Sequence, residues 1–277
     1  MKTILTLLLA LLLPAVGAQE PSPAPAIPDS SDVGSSDVGS SDVDKEQRWR
    51  DQIVDSLMDG DAVDLKADGL TFLGLYTEAD EATGRGAVIV HGIGVHPNWP
   101  QVVYPLRTGL PQQGWNTLSV QMPVLPNEAT DADYALLMDE VAPRLDAAIA
   151  YLKQQGAERV AIVAHSLGAT MATDYLATHP HAVAAFVAIG LSGGSSHAGR
   201  DNVKLLGVLQ VPTLDLFGEN DLDAVVVSSD ARAEAASANA GYSQVQVPGA
   251  DHFFDGREDT LVEIVSAWLN EVVPASR

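Results

Sequence analysis

The sequence predicts an α/β domain with a mostly parallel sheet, on three observations. From about residue 87 onward, short apolar runs rich in Val, Ile and Ala alternate with segments of helical period, a pattern that builds a parallel sheet through right-handed crossovers. Before them, Asp68-Gly69 separates two strand-like runs, 63–67 and 70–76, which is a strong hairpin signal and adds two leading antiparallel strands. With 277 residues and 46% hydrophobic content, the chain can bury the core such a sheet needs, and one domain plus extensions accounts for its length.

The extensions lie at the N-terminus. Residues 1–18 hold Lys2, a largely apolar run over 4–13 and small residues before Ala18, which reads as a secretory signal peptide cut after Ala18. The run is about half of the roughly 20 apolar residues a spanning helix needs, and no later segment is longer, so no stable membrane insertion is expected. Export to the periplasm or the medium follows. Residues 19–44 carry Pro21, Pro23, Pro25 and Pro28 and then repeat Ser-Ser-Asp-Val, the composition of a disordered acidic tether. The domain is then expected over 45–277. It opens with a helix over 44–59, where Asp44 and Gln47 have capping-box spacing and Trp49, Ile53 and Leu57 form one stripe.

Composition excludes several classes of function. A formal charge of −22, from 37 acidic and 15 basic residues, repels phosphate backbones, so nucleic acid is not an expected partner. The absence of cysteine rules out disulfides, thiolate metal sites and a cysteine nucleophile. His179 and His181 are too isolated to suggest a metal site, and no metal or cofactor is expected. Oligomeric state is not written in the sequence.

Taken in order, the run 87–90 is a buried strand that ends in His91-Gly92-Ile93-Gly94, and Pro97-Asn98-Trp99-Pro100 follows as the wall of a cleft. The next strand is 116–121. Thr130 is expected to cap a long helix reaching about residue 155, with Tyr134, Leu137, Val141, Leu145, Ile149 and Leu152 inward and Pro143 kinking it. Strands are then expected at 159–163, 183–189, 213–217 and 242–247. A Gly- and Ser-rich loop over 191–200 sits where open α/β sheets place ligands. Leu261, Ile264, Val265, Trp268 and Leu269 mark a terminal helix packed back on the sheet.

The chemistry centres on Val163-Ala164-His165-Ser166-Leu167-Gly168-Ala169, a buried strand that breaks at a serine and continues as a helix. That is the pattern of a nucleophile elbow. Gly168 satisfies the need for a small residue two after the serine, and Ala164 stands where the general pattern has glycine; the two are expected to face each other across the turn. Ser166, Asp221 and His252 follow in the order serine, acid, histidine, each in a loop after a predicted strand. A serine hydroxyl needs an imidazole to take its proton, and the imidazole needs a carboxylate to hold its tautomer. Asp221 ranks first as the acid, ahead of Asp223, Asp215 and the more remote Asp201. The N–H groups of Leu167, at the helix start, and of Ile93, beyond the His-Gly pair, are the expected oxyanion donors. Of the remaining histidines, His91 belongs to the oxyanion motif and His165 flanks the serine, while His96, His179, His181 and His197 read as surface or structural residues.

These residues resemble the α/β-hydrolase superfamily over about residues 67–273. His91-Gly92-Ile93-Gly94, Gly114-Trp115-Asn116-Thr117-Leu118-Ser119, Gln121-Met122-Pro123, Ala164-His165-Ser166-Leu167-Gly168-Ala169 and Gly249-Ala250-Asp251-His252 are similar to an exported bacterial family of α/β-hydrolase-like proteins of unknown function. The resemblance implies an eight-stranded, mostly parallel sheet and a serine-hydrolase triad at Ser166, Asp221 and His252; it implies no substrate. The short stretch between Ser166 and Asp221 leaves little for a lid domain and points to an open cleft. The expected chemistry is therefore hydrolysis of a small-molecule or polymer-attached acyl ester through an acyl-enzyme. Acyl transfer uses the same residues, and a catalytically silent envelope binding protein on the same fold is the alternative from another class.

Overall fold

The computed structural model describes residues 40–194 and 198–275. The expected signal peptide and most of the expected tether lie outside them, as does His197. The first helix, α1 (Val43–Ser56), is capped by Asp42, whose side chain accepts from the Lys45 N–H at 2.8 Å, two residues before the cap that the spacing of Asp44 and Gln47 predicts. Ser41 is buried, and its N–H donates to Glu140 Oε1 at 2.8 Å while its hydroxyl accepts from the Val124 N–H at 2.8 Å. Packing thus begins inside the stretch expected to be tether. The reason is Glu46, which turns inward on this register and takes Arg144 on both carboxylate oxygens, at 2.9 and 3.0 Å. Ile53 and the partly buried Trp49 and Leu57 then lie against Leu73 and Leu75.

The strands β1 (Asp61–Ala67) and β2 (Leu70–Thr77) form the predicted hairpin, with Ala67 opposite Leu70 and positive φ at both Asp68 and Gly69. The remaining strands are β3 (Arg85–Val90), β4 (Asn116–Val120), β5 (Arg159–His165), β6 (Ala185–Ile189), β7 (Thr213–Asn220) and β8 (Tyr242–Asp251). They assemble in the order β1-β2-β4-β3-β5-β6-β7-β8, antiparallel at the first two pairings and parallel from β4 onward.

Alternation along the central strands divides the core into two layers. Val88, Val90, Ile162 and Ala164 face a layer with α3 (Val141–Gln154), α4 (Leu167–Thr178) and α5 (Asn202–Leu206); Ala87, Ile89, Ala161 and Val163 face α2 (Val103–Gly109) and α8 (Glu258–Val272). The short helices α6 (Asp223–Val227) and α7 (Ser229–Ala235) fill the crossover from β7 to β8.

One helix and two strands differ from expectation. The long helix over 130–155 is instead a 3-10 segment, Asp133–Glu140, followed by α3. Pro143 is the third residue of α3, in its first turn, where the helix ladder does not require the N–H that proline lacks. Thr130 does not cap it; its N–H and hydroxyl bond to Asp133. Strands β7 and β8 run past their predicted ends, and beyond an irregularity at Gly218 they pair again, Asn220 with Asp251. A side chain at 218 would collide with the Ala250 carbonyl. That close approach carries the two strands on together, and it sets the next residue of each chain side by side.

Candidate active site

The end of β5 is built as a strained corner. Ser166 has φ 55° and ψ −122°, its N–H donates to the Ile189 carbonyl at 2.8 Å, and α4 begins at Leu167. Such a conformation costs a non-glycine residue about 1–3 kcal/mol and is held by the strand and helix on either side. A Cβ at Gly168 would strike the His91 carbonyl and lie 2.8 Å from a methyl of Val90. The small residue is therefore required by the approach of α4 to the end of β3, and the expectation that it faces Ala164 is corrected. Ala164 is buried between its sheet partners Val90 and Ala188, where its methyl fits.

The pairing of Asn220 with Asp251 puts Asp221 beside His252. The imidazole Nδ1–H donates to Asp221 Oδ1 at 2.6 Å, and the Ser166 hydroxyl donates to Nε2 at 3.0 Å. Asp221 is held from behind as well, its Oδ1 accepting from the Leu222 N–H at 2.8 Å and its Oδ2 from the Gly218 N–H at 3.2 Å. Three donors thereby converge on one buried carboxylate, which fixes the tautomer that leaves Nε2 free to accept. The lower-ranked acids lie elsewhere. Asp223 is an exposed first residue of α6, Asp201 caps α5, and Asp215 is buried against Arg232, Tyr242 and Gln244.

Room for the imidazole comes from a residue that sequence reasoning passed over. Gly190 follows β6 with φ +62°, and a Cβ there would lie 2.8 Å from His252 Cε1 and 2.9 Å from Nδ1. We expect Gly190→Ala to displace the ring and reduce reaction at Ser166 by about 10²-fold, the usual cost of an ångström-scale misplacement. Labelling rates with a fluorophosphonate check it, and a rate within threefold of wild type would refute it. The only hint in the sequence was a glycine directly after a predicted strand.

Two further histidines hold the site. His91 Nδ1–H donates to the Gly92 carbonyl at 2.8 Å, while its Nε2 accepts from the Met122 N–H at 2.9 Å. His165 Nε2–H donates to the His252 carbonyl at 2.9 Å, and its ring lies 4.7 Å from that of His252. Burial holds both in the neutral form, lowering His91 to about 3 and His165 to about 4. In the unfolded chain a histidine titrates near 6.5. The unfolded state therefore binds more protons below that pH, and stability is full above about 6.5 and falls as pH drops toward the folded values. For His165, with its folded value near 4, the loss reaches roughly 3 kcal/mol. Urea unfolding of wild type and His165→Gln from pH 7 to 4.5 checks this. The variant should show a slope of stability against pH shallower by close to one proton, and equal slopes would refute it.

Leu167 follows the serine directly, and Ile93 lines the same cavity as Ser166. The Gly92 backbone lies so close that a Cβ there would be 3.2 Å from Ser166 Cβ, and Leu167 opens α4, where its N–H has no helical acceptor. Beside them is a cavity of about 300 Å³ lined by Ile93, Val95, Trp99, Leu222 and Phe253 together with Ser166 and His252; Asp131 also reaches it. Trp99 was anticipated as a wall. Asp131, Leu222 and Phe253 were not, because they come from turns that carry no pattern of their own.

The chain matches the family described as "Protein of unknown function (DUF3530)" over residues 2–142 and 127–271. It belongs to that family. No curated protein matches it. Among solved structures, it is similar to Est1E from Butyrivibrio proteoclasticus, with a TM-score of 0.60 at 14% identity over 76% of this chain and 98% of the other. It is likewise similar to XC6422 from Xanthomonas campestris, described as an α/β serine hydrolase without a lid, with a TM-score of 0.62 at 16% identity over 79% and 98%. A dienelactone hydrolase from Anabaena variabilis aligns with a TM-score of 0.61 at 24% identity over 76% and 97%. At these identities the likeness establishes the fold. This member of the DUF3530 family has the α/β-hydrolase fold, as the sequence resemblance implied.

Proposed function

We propose that this chain is an exported serine hydrolase that cleaves carboxylic esters. One observation carries the reading: the hydrogen-bonded line from Asp221 through His252 to the Ser166 hydroxyl, at 2.6 and 3.0 Å, on a strained strand-to-helix corner beside a cavity. In this reading His252 Nε2 takes the proton as Ser166 Oγ attacks the ester carbonyl. The oxyanion is met by the N–H groups of Ile93 and Leu167, the alcohol leaves with the proton from His252, and water repeats the sequence on the acyl-enzyme. Asp221 stabilises the imidazolium throughout.

The cavity bounds the substrate. A space of about 300 Å³ walled by Ile93, Val95, Trp99, Leu222 and Phe253 suits a short or flat apolar group, as most of its wall offers no hydrogen bonds to a polar one. Export rests on the character of residues 1–18. The test is fluorophosphonate labelling of protein recovered outside the cytoplasm with Gln19 at its N-terminus, followed by hydrolysis of short- and medium-chain p-nitrophenyl esters. Labelling that tracks hydrolysis supports the reading, and a folded protein that does neither overturns it.

A further inference from the structure

The helix α1 touches the wall of the cavity through a line of three rings. Trp49 meets His96 edge-on with centroids 5.5 Å apart and planes at 63°, and His96 meets Trp99 at 5.5 Å and 74°. Trp99 lines the cavity beside Ser166, as does Val95, the neighbour of His96. The loop beneath these rings is held by β4 and α2: Ser119 Oγ–H donates to the Pro97 carbonyl at 2.6 Å, and the Arg107 guanidinium donates to the Asn98 side chain at Oδ1, at 2.9 Å. Among the described residues the ring of His96 has no such fastening: its Nδ1 accepts from the local Asn98 N–H, at 3.2 Å, and its ring contacts are the indoles of Trp49 and Trp99.

The outer end of the line is firmly anchored. Four residues before Trp49, Lys45 donates from Nζ to the Leu125 carbonyl and to Asn127 Oδ1, both at 2.8 Å, and lies 4.9 Å from the Trp49 ring. Glu46 on the same turn is bound to Arg144. So α1 is bolted to the domain at the turn that carries Trp49, and the indole is a fixed stop behind His96.

We propose that Trp49 is a positioning residue for substrate selection: through His96 it sets how far the Trp99 indole stands into the cavity, and so the width of acyl group the site accepts. This rests on the esterase reading. An aromatic edge pressed on from outside is a stop that a smaller side chain removes, since the edge-to-face contact is lost with the ring. With Trp49 shortened, the His96 ring can swing outward and Trp99 can follow it, widening the cavity without altering Ser166, His252 or Asp221.

The experiment compares wild type with Trp49→Leu, which keeps apolar packing on Leu73 and Leu75 but lacks a ring, and with Trp49→Phe, which restores an aromatic edge. Steady-state hydrolysis of p-nitrophenyl acetate, butyrate and octanoate is measured for each. In Trp49→Leu the octanoate-to-acetate ratio of kcat/KM should rise about fivefold to tenfold, the upper part of the roughly 2- to 13-fold that one edge contact amounts to as a rate ratio. The change should fall on KM for octanoate, and Trp49→Phe should return the ratio to within twofold of wild type. Trp99→Ala should move the ratio in the same direction. A Trp49→Leu ratio equal to wild type, or an equal fall for all esters, overturns the proposal while leaving the esterase reading intact. A wild type that hydrolyses none of the esters and resists fluorophosphonate overturns the esterase reading itself, and this proposal with it.

Discussion

Ser166→Ala is expected to abolish fluorophosphonate labelling and to lower ester turnover by about six orders of magnitude, the loss found when a triad serine is removed. The size follows from what the hydroxyl does. It is the atom that bonds to substrate carbon, and with it gone only binding and the oxyanion donors remain to assist attack by water. The variant should stay folded. Among the described residues the Ser166 side chain bonds only to His252, at 3.0 Å, and alanine at φ 55° is strained about as much as serine there. A melting temperature near that of wild type, alongside lost labelling, would assign the nucleophile. Hydrolysis within tenfold of wild type would move the nucleophile elsewhere.

Asp221→Asn is expected to cost about 10⁴-fold in kcat, the effect of forcing the wrong tautomer on a triad histidine. Both Asp221 oxygens already accept backbone N–H groups, from Leu222 and Gly218, so an amide has no comfortable orientation. With its nitrogen toward Gly218, two donors oppose one another. With its nitrogen toward His252, it donates to Nδ1, and the proton moves to Nε2, where it blocks acceptance from Ser166. Asp223→Asn, exposed at the start of α6, should change kcat by less than twofold. If the two variants exchanged these outcomes, the acid would be Asp223 and the pairing at Asn220 would not govern the site.

The contrast between those two acids marks where sequence reasoning reaches its end. Strand periodicity and the order serine, acid, histidine put Asp221 first, ahead of Asp223, Asp215 and Asp201, because order along the chain fixes which strand ends meet at the same edge of a parallel sheet. Choosing between Asp221 and Asp223 needed the pairing of Asn220 with Asp251, and the Gly-Glu-Asn run hid it by interrupting the apolar pattern that signals a strand. The missed cap at Asp42 has a similar cause. Local spacing favoured Asp44, but the register of α1 is decided by Glu46 finding Arg144 on a helix almost a hundred residues away in sequence. Gly190 and His165 belong to the same class. Each acts on His252 across the molecule, and nothing adjacent in the chain reports it.

By itself, the sequence determined the α/β class, the leading hairpin, the elbow at Ser166 and the histidine at the end of the last strand, since each depends on residues within a few positions of one another. The sequence ranked Asp221 first among the acids; tertiary structure alone decided the pairing that brings it to His252, which glycine makes room for the ring, where packing begins at Ser41, and how α1 comes to lie behind Trp99. Those outcomes are set by non-local approach of strands and side chains, and a linear pattern carries no record of the distance between them.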